Sequence, residues 1–187
     1  YLVWAEQGVM ELVLLTEPEK ILDLDLTGPG RNGGGAVETP LVLVCTHAKR
    51  DTCCAVKGRP LAAELVEDYP DMVWETSHTK GHRFAPSVML MPWGYSFGRM
   101  NKEAAAQMIA AAARGKYFYP VNRGRGIFGP RGQVAELAVA RALIDAGEEL
   151  SYGQLTATDS GEVSHIDGRR WRVTLEEREV EDRKSVV

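Results

Sequence analysis

The sequence predicts an α/β fold of the α+β kind, with a mixed central sheet flanked by helices and a C-terminal helix and β-hairpin. Three observations carry that expectation. The run "LVLVC" is continuously apolar and β-branched, as a strand covered on both faces should be, rather than alternating. Helical stretches, "RPLAAELVEDY" and "KEAAAQMIAAAAR", are interleaved with strand-like ones, "MVWETSH" and "SVMLMPWGYSFG". The last third changes rhythm, first helical over residues 132–147 and then alternating around Asp167-Gly168.

Taken in order, residues 11–16 read as a strand, and "GPGRNGGG" over 28–35 reads as a surface loop. That loop lacks the strand-to-helix setting and the Lys-Ser/Thr ending of a phosphate-binding loop. Residues 37–45 form the buried strand. The helix over 59–69 takes Pro60 in its first turn and sets Leu61, Leu65 and Val66 on one face. The next strand, 72–78, ends at His78. Residues 87–100 make a strand pair turning at Pro92–Gly94. Asn101 caps a helix over 102–114 and Gly115 ends it. In the helix over 132–147 the apolar face is Val134, Leu137, Ala138, Ala140 and Leu143. The closing hairpin carries His165 and Trp171, both expected to pack or face solvent. One domain over 1–187 is expected, with a core over 11–120 and an extension over 121–187.

Composition narrows the function. With 44% hydrophobic and 26% charged residues, the chain of 187 can build a core, and its net charge of −4 argues against a nucleic-acid binder. Arg123, Arg125 and Arg131 could form a local basic patch, although a solvated loop is the favoured reading of the segment. No apolar run is long enough to span a membrane. No secretory leader is evident and three cysteines cannot build a disulfide framework, so the expected location is the cytoplasm.

All three cysteines fall within "CTHAKRDTCC", Cys45 to Cys54, and "HTKGH" follows with His78 and His82. Cys45 ends one strand and His78 another. If those strands are neighbours, Cys45, Cys54, His78 and His82 emerge at one end of the sheet. Two thiolates and two imidazoles suit zinc or iron. The spacing between Cys45 and Cys54 exceeds the roughly two to four residues of a structural zinc finger, which leans toward a larger centre. His47, in the same loop, would hydrogen-bond locally or orient a neighbour. A third reading makes Cys53 and Cys54 a thiol redox pair, although such chemistry ordinarily uses two intervening residues.

The runs "LVCTHAKRDTCCAVKGRPLAAEL", "VWETSHTKGHRFAPSVMLMPWGYSFGRM" and, more loosely, "NRGRGIFGPRGQVAE" resemble the sucrase/ferredoxin-like family. The resemblance implies a thioredoxin-like ferredoxin fold over roughly residues 11–140. It also implies a 2Fe-2S cluster held by Cys45, Cys54, His78 and His82, with Cys53 a departure that could compete with Cys54. No pair of glycosidase carboxylates is evident. The implied function is an electron carrier or redox sensor without catalytic residues of its own, serving a redox partner protein, reductase or acceptor. Oligomeric state stays open. Replacing two thiolates by imidazoles would leave the oxidised centre formally neutral and raise its potential, with proton-coupled behaviour at the imidazoles. Lys49, Arg50, Lys80 and Arg83 flank the ligands and could either steer an acidic partner or form no more than a solvated basic rim, the two readings standing level. A structural Cys2His2 zinc site remains the alternative.

Overall fold

A five-stranded sheet organises the chain, and its register decides which residues share an end. The structure is a computed structural model describing residues 1–49, 52–79 and 81–178, with the backbone but not the side chain of His82. The strands and helices in chain order are β1 (Leu2–Trp4), β2 (Val9–Leu12), β3 (Gly35–Ala36), β4 (Leu41–Cys45), α1 (Thr52–Asp68), β5 (Val73–Thr76), β6 (Ser87–Met91), β7 (Tyr95–Gly98), α2 (Lys102–Ala112), β8 (Asn122–Arg125), α3 (Pro130–Asp145), β9 (Leu155–Ala157), β10 (Glu162–His165) and β11 (Arg170–Arg172).

The central sheet has the order β5-β4-β6-β7-β8, with β4 and β5 parallel and the remaining pairs antiparallel. It is the mixed sheet the sequence predicts. β4 begins directly after Pro40, which cannot donate to a ladder, and Val42, Val44 and Cys45 are fully buried. Each fully buried aliphatic of this kind contributes about 1.5–3 kcal/mol. Two small sheets, β1-β2-β3 and β9-β10-β11, flank the central one. Arg125, only 3% exposed, ties the first of them in place: its guanidinium donates to the carbonyls of Trp93, Ala5 and Glu6.

Several expected boundaries move. The strand expected over 11–16 is β2, which stops at Leu12; its partners pair only as far as that residue, and Leu14 beyond it is 87% exposed. α1 starts seven residues earlier than expected and contains Cys53, Cys54 and, in its interior, Pro60. An interior proline forfeits one helical hydrogen bond at a cost of about 3 kcal/mol, and packing outweighs it here. Cys54, Gly58, Leu61, Ala62 and Leu65 form the buried stripe at helical spacing, while Val66 faces solvent. The helix ends where Pro70 disfavours helical geometry at Tyr69. α2 starts where expected, with the Asn101 side chain accepting from the Ala104 N–H at 2.8 Å, and ends at Ala112, two residues earlier than expected.

In α3 the buried face is Gly132, Ala135, Glu136, Val139, Ala140 and Leu143. Val134, expected inside, is 55% exposed, and Ala138 is exposed as well. The helix is rotated relative to its apolar pattern because Glu136 turns inward toward Tyr95. The terminal hairpin turns at Asp167-Gly168 as expected, and β9 adds a strand the sequence pattern did not reveal. His165 bonds locally to Asp167. Arg123, Arg125 and Arg131 do not form one patch: Arg125 is buried, Arg131 pairs with Glu177, and Arg123 stacks on Phe84.

Candidate metal centre

β4 and β5 run side by side with Cys45 opposite Thr76, so the chains leave both strands at the same end of the sheet. The Thr46 N–H donates to the Thr76 carbonyl at 3.2 Å, holding the two exits together for one more residue. Two residues beyond each strand stand His47 and His78, whose ring centroids are 6.1 Å apart. The adjacency on which the sequence argument depended is present.

α1 delivers Cys54 to that end. Gly58, one turn further along the same face, lies directly over the last residue of β4: a Cβ there would sit 2.1 Å from the Cys45 carbonyl oxygen. Only glycine permits so close an approach. Cys45, Cys54 and Ala85 consequently form a small buried cluster, separate from the main core, with Cys53 packed at its edge. Cys54 also occupies the first described turn of α1, where the helix dipole favours negative charge.

The histidine loop reaches the same sulfur. Burial alone would push the Cys45 thiol up, yet backbone hydrogen bonds from His47 and Thr79 outweigh it. With further bonds from Cys54 and the Thr79 hydroxyl, they hold the thiol below its ordinary range. Thr79 lies between His78 and His82, so the loop bearing both histidines is folded onto Cys45. Its hydroxyl also contacts the Ser87 hydroxyl at 3.3 Å, tying the loop to β6. Gly81 follows with φ +78°, and the Phe84 N–H donates to the Gly81 carbonyl at 2.8 Å, closing the turn.

Of the four expected ligands, Cys45 and Cys54 are brought into contact, and His78 stands at the same end beside His47. The His82 side chain lies outside the described residues, as do Arg50 and Lys80. Lys49 and Arg83 are exposed on either side. Among the described residues no three His, Cys, Asp or Glu side chains are gathered closely enough to hold a metal ion. The chemistry of the donors nevertheless fits a thiophilic metal: two buried sulfurs, one already favoured as thiolate by N–H groups pointed at it. Sequence reasoning missed Thr79 and Gly58. Gly58 falls just before the helix expected over 59–69, where Pro60 marks a first turn, and Thr79 acts chiefly through its backbone, so neither carried a local signal.

A family model for sucrase/ferredoxin-like proteins matches residues 9–124. The chain belongs to the sucrase/ferredoxin-like family. Among solved structures it is similar to a thioredoxin-like [2Fe-2S] ferredoxin from Aquifex aeolicus, at 16% identity over 48% of this chain and 94% of that one, with a TM-score of 0.40. A cysteine-to-serine variant of the thioredoxin-like ferredoxin from that organism matches at 17% identity over 41% and 88% of the two chains, with a TM-score of 0.35. No curated protein matches the chain. Among the described residues no helix is long and apolar enough to cross a membrane.

Proposed function

We propose that this member of the family carries a 2Fe-2S cluster on Cys45, Cys54, His78 and His82 and passes single electrons between partner proteins. The observation supporting the reading is the convergence at Cys45, where the Cys54 thiol from α1 and the Thr79 N–H from the histidine loop meet one buried sulfur. When bound, such a cluster supplies a one-electron couple. The chain's part is to hold the sulfurs as thiolates, through N–H donors at Cys45 and the helix N-terminus at Cys54, and to keep water from them. Cys45 is 0% and Cys54 1% exposed, so the enclosure on the thiol side is complete.

The helix disfavours the thiol-pair reading. Cys53 and Cys54 are consecutive in α1, and successive helical side chains diverge by about 100°. Cys54 therefore faces Cys45, while Cys53 stays at the margin. Metal, iron and acid-labile sulfide analysis on freshly purified protein, with an electron paramagnetic resonance spectrum after reduction, tests the assignment. Matching iron and sulfide with a resonance from the reduced sample is expected. A colourless protein containing zinc, or thiols that titrate without metal, overturns it.

A further inference from the structure

Beside the histidine loop, at the same end of the sheet, two arginines converge on one aromatic ring. The Arg123 guanidinium lies 4.0 Å above the centroid of Phe84, and that of Arg99 lies 5.8 Å from it. Phe84 is two residues past His82. Neither guanidinium has a hydrogen-bond or ion-pair partner among the described residues, whereas other arginines of this chain do: Arg125, Arg131, Arg141 and Arg169 are all engaged.

The backbone accommodates this arrangement at some cost. Arg99 has φ 57°, a left-handed conformation that costs a bulky residue about 1–2 kcal/mol, and its N–H donates to the Phe84 carbonyl at 2.7 Å. A Cβ on Gly98 would meet the Phe84 Cβ at 2.6 Å and the Arg123 Cδ at 3.1 Å, and one on Gly81 would meet an Arg123 guanidinium nitrogen at 2.7 Å. Two glycines thus leave the space that Arg123 fills between ring and loop. Burial depresses the Arg123 pKa. A cation half withdrawn from water with no counter-charge is unfavourable until an anion meets it.

We infer that Arg99 and Arg123, seated on Phe84, form the contact where an acidic side chain of the electron-exchange partner docks. The inference rests on the electron-transfer reading above. Stacking on the ring leaves the guanidinium edges, which carry the donors, available for bidentate contact with a carboxylate. The position beside the histidine loop brings that carboxylate's protein to the end of the sheet where electrons would leave. Arg83, exposed in the same turn, adds to the positive field.

The test follows oxidation of the reduced holoprotein by hexacyanoferrate(III), an anionic one-electron oxidant, and by hexaammineruthenium(III), a cationic one, in wild type, R99Q/R123Q and R99K/R123K. At low ionic strength the double glutamine variant should react about fivefold more slowly with the anionic oxidant and no more slowly with the cationic one, while the lysine variant stays near wild type. Hexaglutamate should slow hexacyanoferrate oxidation of the wild type and leave the glutamine variant unaffected. Equal changes for both oxidants, or none, overturn the inference. If R99Q/R123Q fails to retain iron, R99Q alone carries the same comparison, because Arg99 is exposed. A colourless wild type would overturn the electron-transfer reading together with this one; a coloured protein indifferent to both arginines overturns this one only.

Discussion

The central sheet has two ends of opposite chemistry. At one, Cys45, Ser87 and Gly98 mark the strand ends, and loops bring sulfur, imidazole and backbone N–H groups together. At the other, Leu41, Met91 and Tyr95 lead into a sealed cluster where the Tyr95 hydroxyl donates to Glu136 and Tyr117 and Tyr152 close around it. The first end favours an anion: the Cys45 thiol is held below its ordinary value. The second opposes one: burial raises Glu136 to about 7 and pushes Tyr95, Tyr117 and Tyr152 above the usual phenol range. What separates them is the supply of N–H donors. Loops leave backbone donors pointing at Cys45, whereas Glu136 has one oxygen, Oε2, with no partner among the described residues.

The largest expected effect lies at the thiol end. Cys54→Ser should abolish visible absorption and iron retention, and Cys53→Ser should leave both intact, because only Cys54 lies on the inner stripe of α1. Absorption spectra and iron analysis of the two variants decide it. Colour lost in Cys53→Ser and kept in Cys54→Ser would mean that the wrong neighbour had been assigned.

Sequence reached the two ends unequally, for a physical reason. At the thiol end the chemistry is written in rare residue types at strand termini, so the adjacency of Cys45 and His78 followed from placing two strands side by side. At the tyrosine end the participants are common residues from four segments far apart in sequence. Glu136 in particular sits in a helix whose apolar pattern, read from Val134, Leu137 and Ala138, turns it outward. In the structure it lies on the buried face with Ala135, Val139 and Leu143 and meets Tyr95, and no local signal announces it. The same limit concealed the early start of α1, since Pro60 reads as a first-turn residue unless the packing of Cys54 and Gly58 on Cys45 is known.

The next effect, about 3 kcal/mol, tests the sealed end through its pH dependence. The folded chain keeps the Glu136 proton up to about pH 7, while the unfolded chain releases it near the ordinary value of 4.5. Between those values the folded state binds more protons, so this group's contribution to stability falls as pH rises and is level above pH 7. The three tyrosines facing it stay neutral throughout that window. Denaturant unfolding at pH 5 and pH 8 should show wild type losing stability that Glu136→Gln retains. Parallel pH dependence in the two proteins would show that Glu136 ionises normally.

A smaller effect, about 2 kcal/mol, is expected from Gly58→Ala. The new Cβ would displace α1 from the Cys45 carbonyl, so the variant should lose stability and hold its iron less firmly against a chelator. Its stability difference between pH 5 and pH 8 should match that of wild type, since the tyrosine end is untouched. A loss of stability with chelator resistance unchanged would separate the α1 seam from the metal site.

Asn101 gives the smallest effect and separates general stability from both ends. Its side chain caps α2 just after Arg99, yet it touches neither sulfur nor carboxylate. Asn101→Ala should cost about 1 kcal/mol, the usual price of an unpaired helix N-terminus. Asn101→Asp should recover most of it, because the carboxylate still accepts from the Ala104 N–H and its charge suits the positive end of the helix. Thermal melts of the two variants measure this, with iron content and the pH 5 to pH 8 difference expected to follow wild type. If Asn101→Ala releases iron as readily as Gly58→Ala does, the thiol end responds to any loosening of the helices around it, and its lability would reflect global stability rather than the close contact at Cys45.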